Sequence, residues 1–238
     1  MSNIIDVSSL IDDRNREMYN TVCEKFNVEF EYSANDEYSV YTQGNQATFY
    51  IPIGTYCVDS FSHELLHVYL DYHEFYLGGN FKNTMWQSNV FQRLFDIQLA
   101  EHMTNSISHK LMLPIYLAMG FDRLKFLYDY NDYKMEPGFL NRLSKAYKTK
   151  GGYSLSAANI FIGKFFALKC DPNPEFDYSK DLQKFKGIDP LLYGILDGFY
   201  NKWDGYDFMR DEFSEYRDKT ASFYDSMKKW LRGKKFAD

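Results

Sequence analysis

The spacing of apolar residues changes near Cys57, and that change limits what this chain can fold into. Between Val28 and Ile53 they fall in short alternating runs; from Phe61 onward they recur every three or four residues almost to the end. Alternation fits half-buried strands, and the longer period fits amphipathic helices. Strands are expected at 28–32, 38–42 and 47–53, with Gly44-Asn45 as the hairpin signal between the last two. Pro52 cannot donate to a ladder, which places the 47–53 strand at a sheet edge or breaks it near its end. An N-terminal helix is expected over 8–26, where Met18, Val22 and Phe26 share a face. After Cys57, Asp59 or Ser60 can cap a helix reaching about residue 76, where Gly78-Gly79 stops it. Further helices are expected at 88–108, in a fresh turn from Pro114 to Gly120, and at 137–147, 154–168, 190–203 and 212–231. The expected class is α+β, mostly helical.

No repeat, low-complexity tract or Gly/Ser linker divides the 238 residues. They read as one domain over 1–238, with a core at about 28–121 and a helical region at about 122–238. The net charge of −6 argues against a nucleic-acid binder, whose affinity comes from neutralising phosphates. The basic residues Lys228, Lys229, Arg232, Lys234 and Lys235 fit a solvated helix end. Aromatic residues make up 19% of the chain, which favours large aromatic cores. Cys23, Cys57 and Cys170 are odd in number and far apart, so neither a disulfide framework nor a CxxC clip is expected. The N-terminal stretch carries acids and no apolar run, and the apolar stretch 111–121 is too short to span a bilayer. The expectation is a cytoplasmic protein with no membrane segment.

His63-Glu64-Leu65-Leu66-His67 is an HExxH sequence. Residues four apart lie one above the other on a helix, so both imidazoles can reach one ion. Zinc accepts such nitrogen ligands. Glu64 follows the first histidine directly, where a carboxylate can take a proton from metal-bound water. Phe61, Leu65, Val68 and Tyr72 form the apolar stripe of the same helix. All five histidines lie between positions 63 and 109, which concentrates the candidate ligands.

A third ligand is required, and the candidates compete. His73 follows His67 by six residues, but on a continuing helix it is carried about 9 Å along the axis and rotated away. Glu101 lies on the next long helix and shares a face with Asn105, which could orient a ligating imidazole from behind. His102 and His109 are the remaining candidates. Glu101 and His109 are two helical turns apart and should not both bind one ion. His109 has other readings, as an oxyanion donor or as packing against the Pro114 turn.

An HExxH helix followed by a glutamate on a second helix resembles the gluzincin class of zinc metallopeptidases. The run from Glu101 to Pro114, EHMTNSISHKLMLP, is similar to the ExxANxFAxxLLMP stretch of the prokaryotic IrrE/ImmA-like peptidases. Glu101, Asn105, Ile107 and the Leu111-to-Pro114 end are in register. The resemblance spans about residues 37–120. It implies His63, His67 and Glu101 as zinc ligands and Glu64 as general base. Leu66 stands where HELGH has glycine, and His109 where that family has a small residue.

The expectation is therefore a zinc metallopeptidase acting on a protein or peptide, held by strand addition along 48–53. The competing expectation is a non-catalytic binding or regulatory module on a peptidase-like scaffold.

Overall fold

The computed structural model describes residues 5–237, so the first four residues of the acid-containing N-terminal stretch lie outside the description. Three strands, β1 (Asn27–Tyr32), β2 (Ser39–Gln43) and β3 (Gln46–Ile51), form a sheet in the order β1-β3-β2. β2 and β3 are an antiparallel hairpin with Gln43 opposite Gln46. Gly44, at φ 60°, supplies the positive dihedral that a two-residue II′ turn needs at its first central position. β1 runs parallel to β3, with Phe30 opposite Phe49. The expectation of a sheet edge at 47–53 is thus corrected: β3 is the central strand, paired on both sides through Tyr50 and with β1 alone at Ile51. Pro52 acts in the other way open to it, by ending the strand.

The inner face of the sheet carries Ala47, Phe49 and Ile51, all fully buried. Helices α1 (Arg16–Lys25) and α2 (Val58–Tyr72) contribute Val22, Phe61, Leu65 and Val68 to the same core. Phe49 lies 5.6 Å from Phe30 and 5.1 Å from Phe61 between ring centroids. The expected helix over 8–26 is broken. A 3-10 turn spans Val7–Leu10, and α1 begins only at Arg16. Asn15 explains the break, because its side chain satisfies the intervening backbone directly. Its Oδ1 accepts from Asp12 N–H, while its Nδ2 donates to Leu10 O and Ser62 Oγ, each at 2.9 Å. Asn15 and Ser62 are both fully buried, so this knot ties the N-terminal segment to the residue before His63.

Helix α2 also departs from expectation at both ends. Cys57, rather than Asp59 or Ser60, occupies its N-cap position, and the helix stops at Tyr72 with His73 as C-cap. Glu74 takes a left-handed φ of 62°, and Gly78-Gly79 falls inside the next helix, α3 (Leu77–Met85). There Leu77, Phe81 and Met85 recur every four residues and are buried, so packing outweighs the low helix propensity of two glycines.

After α4 (Asn89–Leu94) comes α5 (Ile97–Ala118), started by Asp96, whose Oδ1 accepts from Leu99 N–H at 2.8 Å. α5 runs through Pro114 instead of restarting there. The remaining helices are α6 (Phe139–Tyr147), α7 (Leu155–Lys169), α8 (Ser179–Ile188), α9 (Pro190–Asn201) and α10 (Glu215–Leu231). Two short strands, β4 (Lys148–Thr149) and β5 (Gly152–Tyr153), join α6 to α7. The fold is α+β and mostly helical. Among the described residues no helix is long and apolar enough to cross a membrane.

The chain packs as two units. The first holds the residues up to Phe75 together with Met112–Tyr130; the second holds Tyr76–Leu111 together with the residues from Asn131 onward. The sequence suggested one domain with a core at 28–121, whereas packing assigns α3, α4 and most of α5 to the C-terminal group. In that second unit Phe199 stacks on Phe223 at 4.3 Å, and Phe81 and Phe95 pack around them. Buried Asp189 accepts from Tyr147 Oη at 2.9 Å, Trp230 Nε1 at 2.8 Å and Leu192 N–H at 2.9 Å. One carboxylate thereby joins α6, α9 and α10.

Candidate metal centre

The site begins with the helical period of α2. His63 and His67 are four residues apart, and their ring centroids lie 5.1 Å apart at 65°. His63 is 8% exposed and packs against the Phe126 ring at 4.8 Å. Burial, helped by His67 nearby, pulls its pKa down to about 3, and the Phe126 backbone carbonyl opposes this by hydrogen-bonding the ring. Such a carbonyl selects the tautomer and leaves the other nitrogen as ligand. Burial likewise takes His67 down to about 4. Both rings are therefore neutral at pH 7, the form that binds metal.

His109 comes from α5, three residues before Met112 on the same unbroken helix. The ligand nitrogens of His63, His67 and His109 all lie within 4.8 Å of one another. This group could hold a metal ion.

The other candidates lie elsewhere. Glu101 is exposed, and its Oε1 is 3.4 Å from Lys82 Nζ; it is not a member of the histidine group. Asn105, expected to share its role, is also exposed. His102 Nε2 is hydrogen-bonded with Gly163 O at 2.9 Å. His73 ends α2 with its ring edge-on to Tyr69 and Tyr72, at 4.7 and 5.1 Å. Of the candidates for third ligand, the structure joins His109 to the pair. The sequence signal for it was the two-turn spacing from Glu101, which made the two mutually exclusive without saying which of them faces the pair.

Glu64 is largely buried, and burial raises its pKa to about 8, although the Val40 backbone amide donates to its carboxylate and works against the rise. The β2–β3 register explains how that amide is free of the sheet. With Gln43 and Gln46 as the closing hydrogen-bonded pair, alternation turns Val40 N–H away from β3 and toward the open side of β2. Two turns along α2, Asp71 accepts from Thr42 Oγ1 at 2.6 Å, and its burial pushes its pKa up to about 6. Two carboxylates seven residues apart on α2 thus meet β2 at two positions on one face.

The donor set suits a divalent ion that takes nitrogen. Bonds of about 2.0–2.1 Å in a tetrahedron put ligand atoms roughly 3.4 Å apart, a distance that side-chain rotation can reach from the observed spacing. Three protein ligands would leave the fourth position of a tetrahedron open. Compared with family models, characterised proteins and solved structures, the chain matches none.

Proposed function

We propose that this chain is a zinc-dependent metallopeptidase in which His63, His67 and His109 hold the ion and Glu64 is the general base. The supporting observation is the convergence of three imidazoles, two of them on α2, where the buried Glu64 directly follows the first. Zinc, when bound, supplies Lewis acidity, which lowers the pKa of water and polarises a carbonyl. Glu64, next to the first ligand on α2, would as a carboxylate accept a proton from water and return it to the leaving amine. Phe126, through its carbonyl, holds the His63 ring in one tautomer. β2, rather than β3, is the edge strand to which an extended protein or peptide substrate could add, taking over the Val40 amide from Glu64.

The test is Glu64→Gln. The variant is expected to keep stoichiometric zinc while hydrolysis of an unfolded protein falls by about 10²–10⁴-fold. Hydrolysis at the parent rate would remove Glu64 as base. Stoichiometric zinc in the parent protein without any turnover would favour the competing reading, a peptidase-like binding module.

A further inference from the structure

The histidine that completes the site sits where its helix is weakest. Pro114 lies inside α5 and has no N–H, so the carbonyl of Lys110 cannot receive the usual bond from four residues on. The proline ring also crowds that carbonyl, which is the standard cause of a helix kink. Lys110 is the residue immediately after His109.

The side chain of Lys110 is unusually well held for a lysine next to a helix defect. Its Nζ lies 2.5 Å from Asp204 Oδ1 and 3.5 Å from the centroid of the Tyr200 ring. The Tyr200 ring is itself flanked by Lys169, whose Nζ is 4.6 Å from the centroid and 2.8 Å from Asp197 Oδ1. Lys110 keeps only 16% of its side chain exposed, so its stem is packed and its charge is paired. An ammonium over an aromatic face with a carboxylate beside it is a stronger anchor than a solvent-exposed ion pair.

We infer that Lys110 is a positioning residue for the metal centre: its contacts with Asp204 and Tyr200 fix the turn of α5 that carries His109, where Pro114 has removed a backbone bond. This rests on His109 being a ligand. Lys110 touches neither ion nor substrate. It acts by holding in place the turn of α5 that presents the third imidazole, and loss of such support typically costs 10–100-fold in metal affinity.

The experiment titrates the full-length metal-free protein with zinc alone, and with cobalt alone to read the ligand-field spectrum. Lys110→Met and Asp204→Asn should each weaken zinc binding about tenfold and alter the cobalt spectrum. The double variant should lose little more than either single one, because both cut the same link. Lys110→Arg, which can still pair with Asp204 and stack on Tyr200, should restore the parent affinity. A purely structural role would instead lower the unfolding midpoint of the metal-free protein with zinc affinity and cobalt spectrum unchanged, and that result would overturn the inference. Asp204 is 64% exposed, so Asp204→Asn carries the test if Lys110→Met does not fold. Failure of the parent protein to bind zinc would overturn the function proposed above and this inference together; normal binding in the parent and in both variants would overturn this inference alone.

Discussion

Lys82 Nζ lies 3.4 Å from Glu101 Oε1, and this pairing on the exposed side of α5 separates two ligand sets that the sequence left in competition. A carboxylate that faces water and an ammonium is already charge-compensated. Eight residues further on, His109 joins His63 and His67. The expected outcome is that Glu101→Gln retains bound zinc at the parent stoichiometry, whereas His109→Ala loses it on dialysis. Metal analysis of the purified variants checks this directly; retention in His109→Ala with loss in Glu101→Gln would restore the glutamate as third ligand.

The metal should also act as a folding ligand. A site built from distant parts of the chain does not exist in the unfolded state, so binding adds directly to stability. At a thousandfold excess over its dissociation constant, zinc should stabilise the protein by about 4 kcal/mol. A thermal melt with and without a chelator measures this, and His109→Ala should melt at the same temperature under both conditions.

Stability of the metal-free protein should be nearly flat between pH 5.5 and 6.5, where opposing groups cancel, and should fall above that range. Glu64 has a folded pKa of about 8, above the unfolded value, so the folded state binds the extra proton. Its contribution is fully present below the unfolded value and is lost as pH rises toward 8. Between pH 6.5 and 8 the cost is about 1–2 kcal/mol. His63 and His67 have folded values of about 3 and 4, below the unfolded 6.5, so they favour unfolding as pH falls beneath 6.5. Asp71, raised to about 6, and Glu64 itself both oppose that loss and nearly cancel it between pH 5.5 and 6.5; urea denaturation in chelator therefore reads a plateau followed by a decline. The measurement runs from pH 5.5 to 8. Glu64→Gln should abolish the alkaline decline and uncover a loss of stability toward acid pH, where the histidines are no longer opposed by it; an unchanged alkaline decline would assign it to another group.

Asp189 makes a separate prediction, for stability alone. Its buried carboxylate is shared by Tyr147, Trp230 and Leu192. Asp189→Ala leaves two side-chain donors and one backbone donor in the core of the second unit without their acceptor. The expected loss is about 3 kcal/mol or more in denaturant unfolding. A loss below about 1 kcal/mol would mean that the three donors find other acceptors.

Much of the fold was legible because local chemistry dictates it. Alternation placed β1, β2 and β3 to within a residue or two, Gly44 marked the hairpin, and Ser154 and Pro190 mark the starts of α7 and α9. The errors came where a distant partner outweighed a local signal. Asn15 broke the first helix because buried Ser62, 47 residues away, and Leu10 offered its side chain better bonds than a helix interior would. Gly78-Gly79 did not stop a helix, because Leu77, Phe81 and Met85 had an aromatic core to enter. Pro52 did end β3, but it could not reveal that β1 would pair on the other side.

The sequence by itself determined the pair of imidazoles and the acid between them, since four-residue spacing on a helix is intrinsic to one segment and needs no partner to set it. Only the tertiary structure decided the third member. Glu101 and His109 both ride α5, and nothing in their own turns says which faces α2. That choice is made by contacts distant in sequence, which no local period specifies: Glu101 remains in water beside Lys82, while His109, half-buried two turns further on, is grouped with the other two imidazoles.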